Sequence, residues 1–135
     1  MLIIDASVAV KAFVTEADYE KAAAIFEGPE ALAAPAHMLA EVGEVLMRKQ
    51  RLGEMLMAQV ATALDEIPQA VAFIGLTDLR LQALEISNVT GASFYDSLYV
   101  AAAHREECML VSADRRLIAK MEGSPYQRMV VPLAG

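Results

Sequence analysis

Residues 93–123 read SFYDSLYVAAAHREECMLVSADRRLIAKMEG. Met109-Leu110-Val111-Ser112 is a short apolar run of the kind that forms a buried strand. The segment before it opens at Ser93 or Asp96 and continues as a helix to about Glu106. The segment after it, Arg115 to Glu122, reads as a helix stopped by Gly123. A strand flanked by helices on both sides, with no hairpin signal, belongs to a crossover connection and not to a β-meander.

The same alternation holds outward along the chain. Leu2 to Asp5 reads as a first strand, followed by helices over Ser7 to Val14 and Asp18 to Glu27. Gly28-Pro29 marks a turn, and Ala31 to Ala34 is a second strand ended by Pro35. His37 to Gln50 and Glu54 to Glu66 read as two helices joined near Gly53. Val71 to Gly75 is a third strand and Asp78 to Val89 a helix, with Gly91 as its stop. Arg128 to Val131 adds a fifth strand. Strands separated by helices require a parallel sheet covered on both faces. The expected fold is a three-layer α/β/α sandwich, with a central, mainly parallel sheet of four or five strands, in one domain spanning residues 1–135.

Composition narrows the function. Over 135 residues, 56% are hydrophobic and the mean hydropathy is positive, which excludes a disordered chain. No apolar run reaches the roughly eighteen residues of a membrane span. The N-terminus lacks a basic region and meets Asp5 at once, so it reads as a strand and not a leader. A cytoplasmic protein with no membrane association is expected. The single cysteine, Cys108, excludes an internal disulfide and a cysteine-based zinc site. With only His37 and His104 besides, a metal bound here takes carboxylate ligands, which favours Mg²⁺ or Mn²⁺. The net charge of −7 opposes generic nucleic-acid binding, unless divalent ions neutralise part of it.

The acids are placed for such an ion. Sites in open parallel sheets form outside the carboxyl ends of strands. Asp5 ends the first strand, and Asp114 follows the fourth. Asp96 starts the helix that leads into that strand, and Glu41 lies in the first turns of the helix after the second. Each has an ordinary explanation too. Asp5 and Asp114 sit where helix N-caps sit, and Ser93-Phe94-Tyr95-Asp96 fits a capping box. Glu41 belongs to a stripe of His37, Glu41, Glu44 and Arg48 that reads as a solvated helix face with a Glu44–Arg48 pair. Grouped carboxylates repel one another, and a divalent cation turns that repulsion into binding.

Four segments resemble the motifs of the PIN-domain family. They are Leu2-Ile3-Ile4-Asp5-Ala6-Ser7, Glu41-Val42-Gly43-Glu44-Val45-Leu46, Tyr95-Asp96-Ser97-Leu98-Tyr99-Val100-Ala101 and Leu110-Val111-Ser112-Ala113-Asp114-Arg115-Arg116-Leu117. Their order and spacing fit, and as a single domain of this size the chain looks most like the VapC toxins of toxin–antitoxin pairs. The resemblance implies a metal-dependent endoribonuclease, the toxin of a type II pair, inhibited by a cognate VapB-type antitoxin and working as a homodimer. It assigns catalytic roles to Asp5, Glu41, Asp96 and Asp114, with Asp5, Asp96 and Asp114 holding Mg²⁺ or Mn²⁺. Ser112 matches the family's small hydroxyl residue, and Ser7 supports the first acid. On this expectation the ion would supply an activated water for in-line attack on an RNA phosphodiester. Arg115 and Arg116 are candidates to touch flanking phosphates, ahead of Lys11 and Arg105. The family often has Asn three residues after the helical Glu, where this chain has Glu44, expected to face solvent.

The antitoxin is expected to insert an arginine among the acids. The hairpin carrying Met38, Met47, Met55 and Met57 offers either a partner groove or ordinary core packing. Three other acid-based sites fit less well. An adhesion-type D-x-S-x-S motif lacks its second serine, a phosphorelay receiver lacks its lysine, and an aspartyl phosphatase expects Asp where Ser7 stands. A PIN-like module that binds RNA or a partner without turnover is the leading alternative.

Overall fold

A computed structural model describes residues 1–134. Five strands, β1 (Leu2–Ile4), β2 (Leu32–Pro35), β3 (Val71–Ile74), β4 (Met109–Ser112) and β5 (Val130–Pro132), form one sheet in the order β3-β2-β1-β4-β5. Every pairing is parallel. The helices are α1 (Ala6–Lys11), α2 (Tyr19–Glu27), α3 (Met38–Arg51), α4 (Met57–Ala70), α5 (Leu76–Thr90), α6 (Phe94–Glu106) and α7 (Arg115–Met121). α1 packs on α2 and α3, α3 on α4, and α5 on α6. With right-handed crossovers, the order places α1–α4 on one face and α5–α7 on the other. This is the expected three-layer sandwich.

The strand order reverses between β1 and β4. β1 leads to β2 and β3 on one side, whereas the chain returns across the sheet to place β4 on the other. That switch point opens a crevice at the carboxyl ends of β1 and β4. The register Ile3↔Leu110 and Ile4↔Val111 then sets Asp5 beside Ser112.

Burial explains the layers. Ile3 and Ile4 are fully buried, as central parallel strands require. α6 buries every residue from Ser97 to Ala103. Its run of alanines allows close approach to β1, β2 and β4, the strands it packs against. Cys108 is a free, partly buried thiol that packs against the core.

Some helix bounds differ from the sequence reading. α4 continues past Glu66, through Pro68, to Ala70. Proline usually ends a helix, but Val60, Ala63 and Ile67 form a buried stripe that holds this last turn against the core. α1 stops at Lys11, short of Val14, and α5 begins at Leu76, ahead of Asp78. In the α3–α4 hairpin Met38 and Met55 are core residues, whereas Met57 is exposed.

Candidate active site

Asp5 is the best-fixed acid. Its carboxylate caps α1, with Oδ1 accepting from the Val8 amide at 3.1 Å. The Ser7 hydroxyl donates to the same oxygen, and the Ser112 hydroxyl donates to Oδ2. Both serines are held from the β4–α7 loop. Ser7 Oγ accepts from the Ala113 amide and Ser112 Oγ from the Asp114 amide, each at 3.0 Å. Two hydroxyls thus tie the end of β1 to the start of α7. Burial drives the Asp5 carboxyl up to about 6, against the pull of Ser112, Ser7 and Val8, and the Asp114 charge adds to the rise.

Asp114 caps α7, its Oδ1 accepting from the Arg116 and Leu117 amides at 2.9 and 3.3 Å. The capping explanations for Asp5 and Asp114 therefore hold, and they are compatible with a second role. Capping fixes the carboxylates at the crevice and leaves acceptor capacity free. Asp96 lies in the first turn of α6, where Ser93 Oγ accepts its backbone amide at 3.0 Å. Its carboxyl is pushed up first by burial and then by the charges of Asp114 and Glu41. Asp114 raises both Asp5 and Asp96, and Glu41 raises Asp96.

Glu41 is held by two residues to which the sequence reading gave no role. The Tyr99 hydroxyl donates to Glu41 Oε1 at 2.6 Å. His37 Nε2 lies 3.1 Å from the same oxygen and 3.0 Å from the Tyr95 carbonyl. Both neighbours are acceptors, so Nε2 carries the hydrogen. The buried Nδ1 has no hydrogen-bond partner among the described residues. The His37 ring packs on Tyr99, with centroids 4.7 Å apart. Burial pushes the Glu41 carboxyl up, but the His37 and Tyr99 hydrogen bonds outweigh it and leave it below its ordinary value.

The helical stripe therefore splits. His37 is only 9% exposed and Glu41 is half-buried, whereas Glu44 and Arg48 face solvent and form no ion pair with each other. The signal was present in the spacing: His37, the N-cap of α3, and Glu41 are four apart, and Asp96 and Tyr99 are three apart on α6.

Of the candidate cations, Arg115 and Arg116 are exposed on the first turn of α7. Lys11 and Arg115 line a cavity of about 370 Å³ that reaches Ser112 and Ala113. Lys11 is paired with Glu16 at 3.6 Å, and Arg105 lies 3.7 Å from Asp78. Arg105 is thus already matched to an acid outside the cluster.

The four acids fit a hard cation in donor chemistry. They offer oxygen donors, His37 Nε2 is committed elsewhere, and their mutual repulsion calls for a counter-charge. Among the described residues, no group of three or more His, Cys, Asp or Glu side chains could hold a metal ion as placed.

The all-parallel sheet, with Asp5 and Asp114 beside its switch point, makes this an α/β domain of the doubly wound class. The PIN domain family profile matches residues 2–123, and the chain belongs to that family. Ribonuclease VapC3 of Mycobacterium tuberculosis is 33% identical over 117 residues, covering 86% of this chain and 84% of the relative. Among solved structures, PAE2754 of Pyrobaculum aerophilum superposes with a TM-score of 0.69 at 24% identity, over 98% of this chain and 83% of that one. The M. tuberculosis toxin VapC20, described as cleaving the sarcin–ricin loop, gives 0.67 at 21% identity, over 88% and 94%. A toxin–antitoxin complex from Klebsiella pneumoniae gives 0.69 at 15% identity, over 98% of both chains. These structural likenesses speak to the fold.

Proposed function

We propose that this chain is a metal-dependent endoribonuclease of the VapC type, the toxin of a type II toxin–antitoxin pair. The observation that carries the reading is that, in a PIN domain, the Ser7 and Ser112 hydroxyls hold the Asp5 carboxylate at the β1–β4 switch point, beside the start of α7 that Asp114 caps. Its similarity to a named VapC ribonuclease supports it.

Asp5, Asp96 and Asp114 would hold Mg²⁺ or Mn²⁺. Such an ion, when bound, supplies an activated water and offsets charge on the phosphate and leaving oxygen. Ser7 and Ser112 keep the Asp5 carboxylate in one orientation. Tyr99 and His37 do the same for Glu41, whose remaining oxygen is free to orient the attacking water. Arg115 and Arg116, exposed at the start of α7, would touch the flanking phosphates. The partners in this reading are the RNA, a VapB-type antitoxin that presents an arginine to the acids, and a second copy of the chain. No helix among the described residues is long and apolar enough to cross a membrane.

The experiment is incubation of the purified, antitoxin-free chain with structured RNA in Mg²⁺ or Mn²⁺. Discrete cleavage products are expected. RNA binding without metal-stimulated cleavage would instead identify a binding module that has lost turnover. A narrower prediction concerns Tyr99→Phe. Losing the hydroxyl leaves Glu41 held by His37 alone, and the turnover number should fall roughly 10-fold or more, as for other residues that orient a metal site. The KM for RNA should stay unchanged. A matching rise in KM would mean that Tyr99 acts on binding.

A further inference from the structure

Beside Glu41 lies an open groove of about 410 Å³, within the size range of small-ligand sites. Its lining is mostly apolar and includes Ala6, Ala40 and Val45. One wall is Tyr95, 65% exposed despite being aromatic. Its backbone is fixed from behind, because the Tyr95 carbonyl accepts from His37 Nε2 at 3.0 Å. Glu44 and Arg48, one turn apart on α3, also line it, exposed and not paired with each other.

An aromatic face in a mostly apolar lining, with one free acceptor pair and one free donor set, is the equipment for holding an unpaired nucleobase. We propose that this groove takes an unpaired guanine of the RNA strand, adjacent to the cleaved phosphodiester. The inference rests on the ribonuclease reading and adds a sequence preference to it. The base stacks on Tyr95. The two Glu44 oxygens accept from guanine N1–H and N2–H₂, and the Arg48 guanidinium donates to O6 and N7. Adenine offers an unprotonated N1 where guanine offers a donor, so Glu44 would face a lone pair. Pyrimidines give less surface to Tyr95. The groove reaches the catalytic crevice through Glu41, which belongs to both. Glu44, the departure from the family's usual Asn, thereby becomes the residue that selects the base.

The test uses the full-length chain in two arms. In the first, short single-stranded RNAs with one central G, inosine, A or U bind the chain without divalent metal, followed by fluorescence anisotropy. Guanine is expected to bind best, with inosine intermediate because it lacks the N2 amino group. Tyr95→Ala should weaken guanine binding roughly 10- to 100-fold. Glu44→Gln should lower affinity for the G-containing RNA to about that for the A-containing one, erasing the preference for G over A. Thermal melting of both variants confirms that they fold. Equal binding of all four RNAs, or an unchanged preference in Glu44→Gln, would overturn the subsite. The second arm maps cleavage ends in Mg²⁺ or Mn²⁺. Cleavage next to G in the parent, relaxed in Glu44→Gln, supports the subsite. Cleavage with no preference for G overturns the subsite and leaves the ribonuclease reading standing. Guanine-selective binding without any cleavage keeps the subsite and overturns the ribonuclease reading.

Discussion

Replacing Asp5 by Asn is expected to lower RNA cleavage by on the order of 10³-fold or more, because the charge that anchors a catalytic cation supplies several kcal/mol to the transition state. The same change should raise the stability of the metal-free protein near neutral pH. Asp5 is buried, and its carboxyl is driven from 3.8 to about 6. An acid whose folded-state value lies above its unfolded value binds its proton more tightly when folded. Its contribution to stability is complete below about pH 3.8 and is lost as pH rises through about 6. The rise corresponds to up to about 3 kcal/mol at neutral pH. Asn removes that cost, although Ser112 gives up its acceptor. Thermal unfolding of parent and variant across the acid range reads this directly. Activity lost together with stability would instead show Asp5 to be only a structural cap, and retained activity would remove it from the site.

The second large effect is that of metal and pH together. Chelation should abolish cleavage, and Mg²⁺ or Mn²⁺ should restore it. Proton and cation compete for the same carboxylates. Asp5 at about 6 and the raised Asp96 are therefore expected to make activity at limiting metal climb as pH rises through about 6. Excess metal should shift that rise to lower pH. In Asp96→Asn the apparent metal requirement should increase by at least 10-fold. A flat profile of rate against pH at limiting metal would argue that protons and cation do not share these groups.

Most of the scaffold is legible in the sequence, because strand and helix periods alternate cleanly and the apolar runs of β1 and β4 have few other uses. The acids are legible for a related reason. Asp5 and Asp114 follow the ends of β1 and β4, and a parallel sheet brings strand ends together. Less visible is what restrains them. The hydroxyls of Ser7 and Ser112 act across more than a hundred residues of chain, through the β1–β4 register. The clamp on Glu41 depends on α3 and α6 meeting at the rim, so His37 reads as part of a solvated stripe until its ring is seen packed on Tyr99. At the end of α4 the helix runs on past Glu66 and through Pro68, where the burial of Ile67 outweighs a local helix-ending signal.

The central claim is that Asp5, Asp96 and Asp114 share one divalent cation. The most direct measurement is a Mn²⁺ titration of the antitoxin-free chain, with free ion followed by electron paramagnetic resonance, alongside Asp5→Asn, Asp96→Asn and Asp114→Asn. Saturable binding by the parent and its loss or strong weakening in each folded variant is the result predicted. A parent that binds no Mn²⁺, or variants that bind it as the parent does, would contradict the shared site.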